Sequence, residues 1–583
     1  MIRVSLLDTL CTNKDFETYR DFYNEFKLTP PRNFNFGFDV IDVMGETHKN
    51  DRAMLWIGPG QEERGFTFGD MKRLSGKVAN AMRLAGIKKG DIVLLALRRH
   101  YQFWYTMMGL HKLGAVVIPV THQLTTRDYA YRMNASGAIA IIATAEDGVP
   151  SNILAALPES PGVIYAFAAR SPRMQTTPVP QGFLDFDALV DEACETFARE
   201  SGSPGGEDIM LMYFSSGTTG YPKMVAHNYL YPLGHITTAR YWHENKPGGL
   251  HLTVSDSGWG KAAWGKMYGQ WLAENTVLAY DFDKFDAADI LKKLQDYRVT
   301  TFCAPPTMYR YIIRQPLNSY DLSALRHVTT AGEALNPEVY DQFLAKTGLK
   351  IYEGFGQTET TLMLATFPTM QVRAGSMGRP TPGYDVHVLD EGGNLATFGE
   401  TGEICVDYSK GRPPGMASGY YRDEEMTNKA WKDCWYHTGD TAWQDSRGYF
   451  WYVGRTDDVI KSSGYRIGPF EVESALLEHP AVLEAAVTSL PDPVRGQVVK
   501  ATVVLAADYE GGGGEALVRE LQAHVRKSTA PYKYPRVIEF VECLPKTISG
   551  KIMRAKIRER DLERYKAANN MDGFTKPTPG GRA

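Results

Sequence analysis

The sequence predicts an α/β protein. A large N-terminal domain of parallel α/β sheets carries a small β-barrel-like subdomain and is followed by a small α+β C-terminal domain. Three observations carry this. From about residue 66 helix-period runs alternate with short apolar runs, the mark of parallel strands with helices on their faces. After about residue 375 the apolar runs shorten and Gly, Pro and Asp become frequent, as in antiparallel strands joined by turns. After Arg455 the pattern restarts as a compact α+β unit. The expected divisions are 1–455, 456–568 and a disordered tail over 569–583.

The first helix is expected over FGDMKRLSGKVANAMRLAG, where Leu74, Val78 and Met82 share a face and Gly86 and Gly90 stop it. DIVLLAL reads as a buried strand. The aromatic helix YQFWYTMMGLHKLG, the strand AVVIPV, a further helix and the strand AIAIIATA follow. The alternation returns with VLAYDFD, a helix around 286–297, VTTFCAPP and LRHVTTAGEALNP. VHVLDEGG, GEICVDY and YFWYVG are the expected antiparallel strands. The last unit holds a helix in GPFEVESALLEH, strands in VLEAAVTSL and QVVKATVVLA, a helix around 515–527 and a strand in RVIEFVE.

The chain has 583 residues and a net charge of -4, which argues against a nucleic-acid-binding surface over the whole molecule. Its six cysteines are scattered without a CxxC pair, a spacing that suits reduced thiols better than a disulfide framework or a zinc site. MIRVSLLDTLCTNKDFE is not a signal peptide, and no apolar run approaches the ~20 residues of a membrane span. The expectation is a soluble cytoplasmic protein, with monomer and homodimer both open.

The chemistry starts at YFSSGTTGYPKMVAH, residues 213–227. An apolar strand empties into small and hydroxylated residues and then a lysine. Successive backbone N–H groups there can form an anion nest, hydroxyls add donors, and Lys223 adds a point charge suited to polyphosphate. Only two residues separate Gly217 from Gly220, so this is not a Walker A loop. Read alone, Asp440 in TGD is equally a turn residue, Glu359 in QTET could cap a helix, and Trp259, Trp264 and Trp271 could all be core.

YFSSGTTGYPK resembles the phosphate-loop signature of the adenylate-forming enzymes, the acyl-CoA synthetases among them. Further segments arrive in that family's order: AGEALNP (331–337), YEGFGQTET (352–360), YHTGD (436–440), GRTDDVIKSSGYRIGPFEVE (454–473) and LPKTISGKIMRAKIR (544–558). The resemblance implies ATP, Mg²⁺ and coenzyme A, a carboxylic acid as the remaining substrate, and a mobile C-terminal domain. It assigns Ser215, Ser216, Gly217, Thr218, Thr219, Gly220 and Lys223 to the phosphates, and Gly332, Glu333 and Ala334 to adenine. Glu353, Gly354, Phe355, Gly356, Gln357 and Thr358 form the second nucleotide segment, with Thr358 at the α-phosphate and Glu359 on Mg²⁺. Asp440 and Arg455 fall to the ribose, Arg466 to a phosphate, Lys551 to catalysis and Asp457 to a hinge.

Ser463, Gly464, Tyr465, Arg495 and Arg526 are the expected coenzyme A contacts. Acetyl-CoA synthetases resemble this chain but carry Trp where Gly356 stands. The missing indole predicts room for acids longer or more branched than acetate, with Trp259 a pocket wall. Thr361, where the family has Gly, is expected to narrow the channel, Lys261 has no assigned role, and His227, His235 and His437 are read as structural. Two alternatives stay open: an adenylating enzyme that loads a carrier-protein thiol, and a non-catalytic nucleotide sensor.

Overall fold

The structure is a computed structural model. It describes residues 5–12, 14–146, 148–173, 178–215, 222–463, 465–506, 509, 511–547 and 551–568. Most of the phosphate loop, Gly464 and the expected tail lie outside the described residues.

Three sheets organise the chain. An eight-stranded sheet has Ile92–Ala96, Val116–Pro119 and Ala140–Thr144 as parallel neighbours, every residue of the three buried. The helix Phe68–Leu84 starts in a capping box, in which Thr67 and Asp70 satisfy each other's backbone N–H groups. The aromatic helix, Gln102–Leu113, is buried along its whole length and ends at Gly114 with φ 91°. A residue with a side chain strains there, so Gly sets the stop.

The fourteen-stranded sheet has two textures. Leu250–Thr253, Thr276–Tyr280, Thr301–Ala304, His327–Ala331 and Ile351–Gly356 run parallel, the buried α/β pattern expected. The sheet then turns antiparallel through Leu362–Ala365 and Ser376–Pro380 into Phe450–Arg455, Trp435–Gln444, Thr401–Asp407 and Asp385–Leu389. The short, turn-rich strands expected as a barrel-like subdomain thus continue the parallel sheet.

The third sheet begins at Ile460 and is built on the long hairpin Val482–Asp492 and Gly496–Leu505. Pro469–Leu477 and Glu515–Ser528 pack on it through Val472, Leu476, Leu517, Leu521 and Val525. This unit meets the rest of the chain through modest contacts. Asn336 donates to the Ser474 carbonyl (3.1 Å), Phe470 meets the Tyr452 ring edge-on (6.0 Å), and Arg466 pairs with Glu391.

Candidate active site

The adenine and second nucleotide segments leave the ends of adjacent parallel strands. His327–Ala331 pairs with Ile351–Gly356, and each chain turns out of the sheet at its C-terminal end. Open α/β sheets place ligands along that edge. Gly332 follows with φ 104°. Glu353 ties the two segments together by accepting the Leu335 N–H (3.1 Å). Burial pushes its carboxyl up to about 8, against that hydrogen bond. Glu333 turns toward Thr307 (2.7 Å) and Arg310. Ala334, Gly354 and Phe355 belong to the same two segments.

The phosphate loop joins two antiparallel strands, Ile209–Ser215 and Lys223–Asn228, with Ser215 directly opposite Lys223. Ser216, Gly217, Thr218, Thr219 and Gly220 lie outside the described residues. The Lys223 ammonium lies 2.7 Å from Glu359 Oε1, and the Tyr420 hydroxyl donates to the same oxygen (2.8 Å). Burial disfavours the Glu359 anion, but the attraction of Lys223 and the two hydrogen bonds outweigh it and hold the carboxyl below its ordinary range. An ionised carboxylate at the mouth of a phosphate loop suits a hard divalent cation.

Tyr420 carries no sequence signal of this role. It arrives because the two-residue strand Gly419–Tyr420 pairs with Lys223–Asn228, setting Tyr420 opposite Val225. His227, expected to be structural, donates from Nε2 to the Thr358 carbonyl (2.8 Å). Burial pushes its imidazole down to about 4, so it is neutral at pH 7 and orients Thr358 without adding charge.

The ribose segment docks on the second motif through Gln357. Its amide donates to Asp440 Oδ2 (2.5 Å) and to the Thr438 carbonyl (2.8 Å) while accepting from the Tyr436 hydroxyl (2.5 Å). Asp440 is buried, faces Arg455 across the strands at 3.7 Å, and accepts from Tyr452 (3.2 Å). Burial raises its carboxyl above the ordinary value; Arg455, Gln357, Tyr452 and Lys551 pull it back. Arg455 also reaches Asp457 (3.7 Å) at the expected hinge.

Lys551 is exposed; its carbonyl accepts the Thr547 N–H (2.8 Å), and its own N–H donates to Thr547 Oγ1 (3.1 Å). Its charge favours the Asp440 carboxylate and disfavours the Lys261 ammonium. Lys261 itself donates to the Ala331 carbonyl (2.6 Å). Arg466, expected at a phosphate, pairs with Glu391.

Two expectations about the acid pocket need correction. A Cβ at Gly356 would lie 2.3 Å from the Thr361 carbonyl and 2.5 Å from the Trp264 ring. The space predicted to open at Gly356 therefore already holds an indole, supplied by Trp264. The Thr361 side chain points the other way, against Gly234, Gly415 and the Tyr384 hydroxyl (3.0 Å), rather than toward Gly356. Trp259 is half-buried just before Gly260, which lies beside Thr358 and Tyr213.

Ser463, Tyr465, Arg495 and Arg526, the described ones among the expected coenzyme A residues, are exposed on the C-terminal unit. Arg495 donates to Ser463 Oγ (3.2 Å), Tyr465 stacks on Tyr532 (4.1 Å between rings), and Arg526 lies 3.7 Å over the Tyr534 ring. Among the described residues, no helix is long and apolar enough to cross a membrane.

Comparison with known proteins agrees with this geometry. The AMP-binding enzyme family matches residues 42–421, and the AMP-binding enzyme C-terminal domain matches 471–551. The chain is 38% identical over 562 residues to human acyl-coenzyme A synthetase ACSM3, mitochondrial, covering 94% of this chain and 93% of that one. It is 40% identical over 561 residues to human ACSM4, mitochondrial, covering 95% and 94%. The crystal structure of the anthranilate CoA ligase AuaEII with anthranoyl-AMP superposes with a TM-score of 0.82 at 27% identity, covering 92% of this chain and 99% of that one. With both family domains matched in order and such relatives aligned along nearly its whole length, the chain belongs to the AMP-binding enzyme family.

Proposed function

We propose that the chain is an AMP-forming acid–CoA ligase for medium-chain or branched short-chain acids. The observation that supports this is the meeting of Lys223, Glu359 and Tyr420 beside the end of the strand at Ser215, and of Gln357 with Asp440 at the ribose motif; Lys551 is assigned to act on them from the C-terminal unit. In the first step a carboxylate oxygen attacks the α-phosphorus of ATP, and the bond to pyrophosphate breaks. Two anions must meet, so the protein's task is to supply positive charge and alignment. Lys223 is held by Glu359 until a polyphosphate offers it more charge. Glu359 is the residue that would hold Mg²⁺, which would supply further positive charge to the reacting phosphates. Asp440 accepts from the ribose hydroxyls, and Lys551 steadies the attacking and attacked groups together, where a cation helps most in the transition state.

In the second step the coenzyme A thiol attacks the acyl carbonyl and AMP leaves. Lys551 and the thiol need the same face of the adenylate, so the C-terminal unit must turn between steps, about Asp457. The exposed Arg466–Glu391 pair supports this, since such surface pairs contribute only ~0–1 kcal/mol and release readily. The cationic and aromatic surface of Arg495, Tyr465, Tyr532 and Arg526 suits a nucleotide-bearing thiol. The coenzyme A ligases and synthetases among the relatives support the same choice over a carrier-protein thiol. Trp264 and Trp259 bound the acid, and each methylene buried beside them contributes about 0.8 kcal/mol.

The test is pyrophosphate release from ATP and acid before coenzyme A is added, then acyl-CoA formation on its addition, across acetate, butyrate, 2-methylbutyrate, hexanoate and dodecanoate. Release followed by acyl-CoA, fastest with butyrate to hexanoate, is expected. Release without transfer to coenzyme A would favour a carrier thiol. No release would indicate a sensor, and a preference for acetate would overturn the acid range.

A further inference from the structure

Away from the nucleotide cleft, the antiparallel strands bring a thiol, an imidazole and a carboxylate together. Cys405 is the direct cross-strand partner of His437 on one side and of His387 on the other. Glu403 precedes Cys405 by two positions and so shares its face. The opposite face of these strands is core, with Val386, Ile404, Val406 and Tyr436. Cys405 is buried, whereas Glu403 and His437 are partly exposed.

Sγ of Cys405 lies 3.5 Å from Nδ1 of His437, and Oε2 of Glu403 lies 3.0 Å from the same nitrogen. The three ligating atoms all fall within 4.8 Å of one another. Bonds of ≈ 2.3 Å to sulfur and ≈ 2.0–2.1 Å to nitrogen or oxygen place the corners of a tetrahedral zinc site roughly 3.3–3.6 Å apart. The Cys–His edge matches that spacing, and the His–Glu edge is slightly shorter. Without an ion, a single proton on Nδ1 can be directed at only one of its two neighbours. A cation at the centre would satisfy both. The second carboxylate oxygen accepts the Gly439 N–H (2.8 Å), an outer hydrogen bond of the kind that fixes a ligating carboxylate.

We propose that Glu403, Cys405 and His437 bind one zinc-type divalent cation, with a solvent-facing fourth position. Binding forms the S–metal bond as the thiol proton leaves to solvent. Thiolate, imidazole and carboxylate together suit a borderline ion, whereas Mg²⁺ keeps to oxygen ligands, so this site and Glu359 do not compete for the same metal. Gly439 lies between His437 and Asp440, so an occupied site braces the stretch of strand that carries the ribose-facing carboxylate.

Cobalt(II) titration of the full chain in excess Mg²⁺ tests this. One equivalent is expected to give thiolate-to-cobalt charge-transfer absorption that Zn²⁺ abolishes by displacement. The band persists in Cys434→Ser, which removes the exposed thiol nearest in sequence, and disappears in Cys405→Ala. Zn²⁺ affinity, read by chelator competition, falls by more than about 100-fold in Cys405→Ala, beyond the ~10–100-fold loss typical of outer partners. Glu403→Gln and His437→Gln keep the thiol and decide the matter if Cys405→Ala does not fold: weaker binding in both supports the site. No thiolate band, a band that survives Cys405→Ala or vanishes with Cys434→Ser, or unaltered affinity in Glu403→Gln and His437→Gln overturns it.

Discussion

The two walls of the nucleotide cleft follow opposite plans. On the N-terminal wall the polar groups are buried or half-buried and bonded to one another: Glu359 with Lys223 and Tyr420, and Asp440 with Gln357 and Tyr452. On the C-terminal wall Lys551 is exposed, Arg466 is engaged by a surface glutamate, and Arg495 and Arg526 lie on the surface of a separate sheet's domain. The first wall holds its charges where water cannot reorganise around them. That preorganisation makes each group count, but it fixes the groups in one geometry. In the proposed mechanism the second wall gives up preorganisation for mobility. The proposed two-step reaction needs both, because one positive charge would arrive for the first step and leave before the second.

The contrast is most exposed to Lys551→Gln. Adenylation should fall by about 10²–10³-fold or more, with little change in stability, while thioester formation from supplied acyl-adenylate is largely kept. Equal loss in both half-reactions would break the division between walls. Glu359→Gln should cost adenylation about 10²-fold and, unlike Lys551→Gln, lower folding stability by roughly 1–3 kcal/mol in urea melts, because Lys223 loses its anion. A change in rate with no change in stability would place Lys223 outside the preorganised wall.

Trp264→Ala should shift preference toward longer acids by about 0.8 kcal/mol per added methylene, roughly fourfold in kcat/KM. An unchanged chain-length profile would show that the indole beside Gly356 is core. On the mobile wall, Arg495→Ala and Arg526→Ala should each raise the KM for coenzyme A by roughly two- to fivefold, as exposed charges worth ~0.5–1 kcal/mol do, without altering pyrophosphate release.

The last prediction concerns pH. The Glu353 carboxyl is pushed up to about 8 from an ordinary 4.5, so the folded protein holds a proton that the unfolded chain releases. Its stability contribution is complete below about 4.5 and is lost as pH rises toward 8. Glu353→Gln should flatten that part of the stability–pH curve. An unaltered slope would mean that Glu353 is ionised in the fold.

Residues that act through local chain geometry were readable in the sequence. The Gly and Ser/Thr run before Lys223, the glycine ends of Phe68–Leu84 and Gln102–Leu113, and the alternation of buried strands with helices all report backbone preferences. The order of the nucleotide segments was readable through the resemblance of those segments to the adenylate-forming enzymes. Tyr420 was not, because its position beside Lys223 depends on a two-residue strand joining from nearly two hundred residues away. The acid pocket misled for a related cause: an indole absent from position 356 is replaced by one from position 264, and no local pattern reports that exchange.

The sequence by itself determined the alternation of elements, the motif order and the chemical types on offer, because periodicity, turn residues and functional groups are properties of short stretches. Only the tertiary structure decided which groups meet: Tyr420 with Glu359, Trp264 with Gly356, and Cys405 with His437 and Glu403. Strand register and side-chain packing set those meetings. Register is fixed by which apolar faces are buried together, a condition the whole chain satisfies at once and no segment satisfies alone.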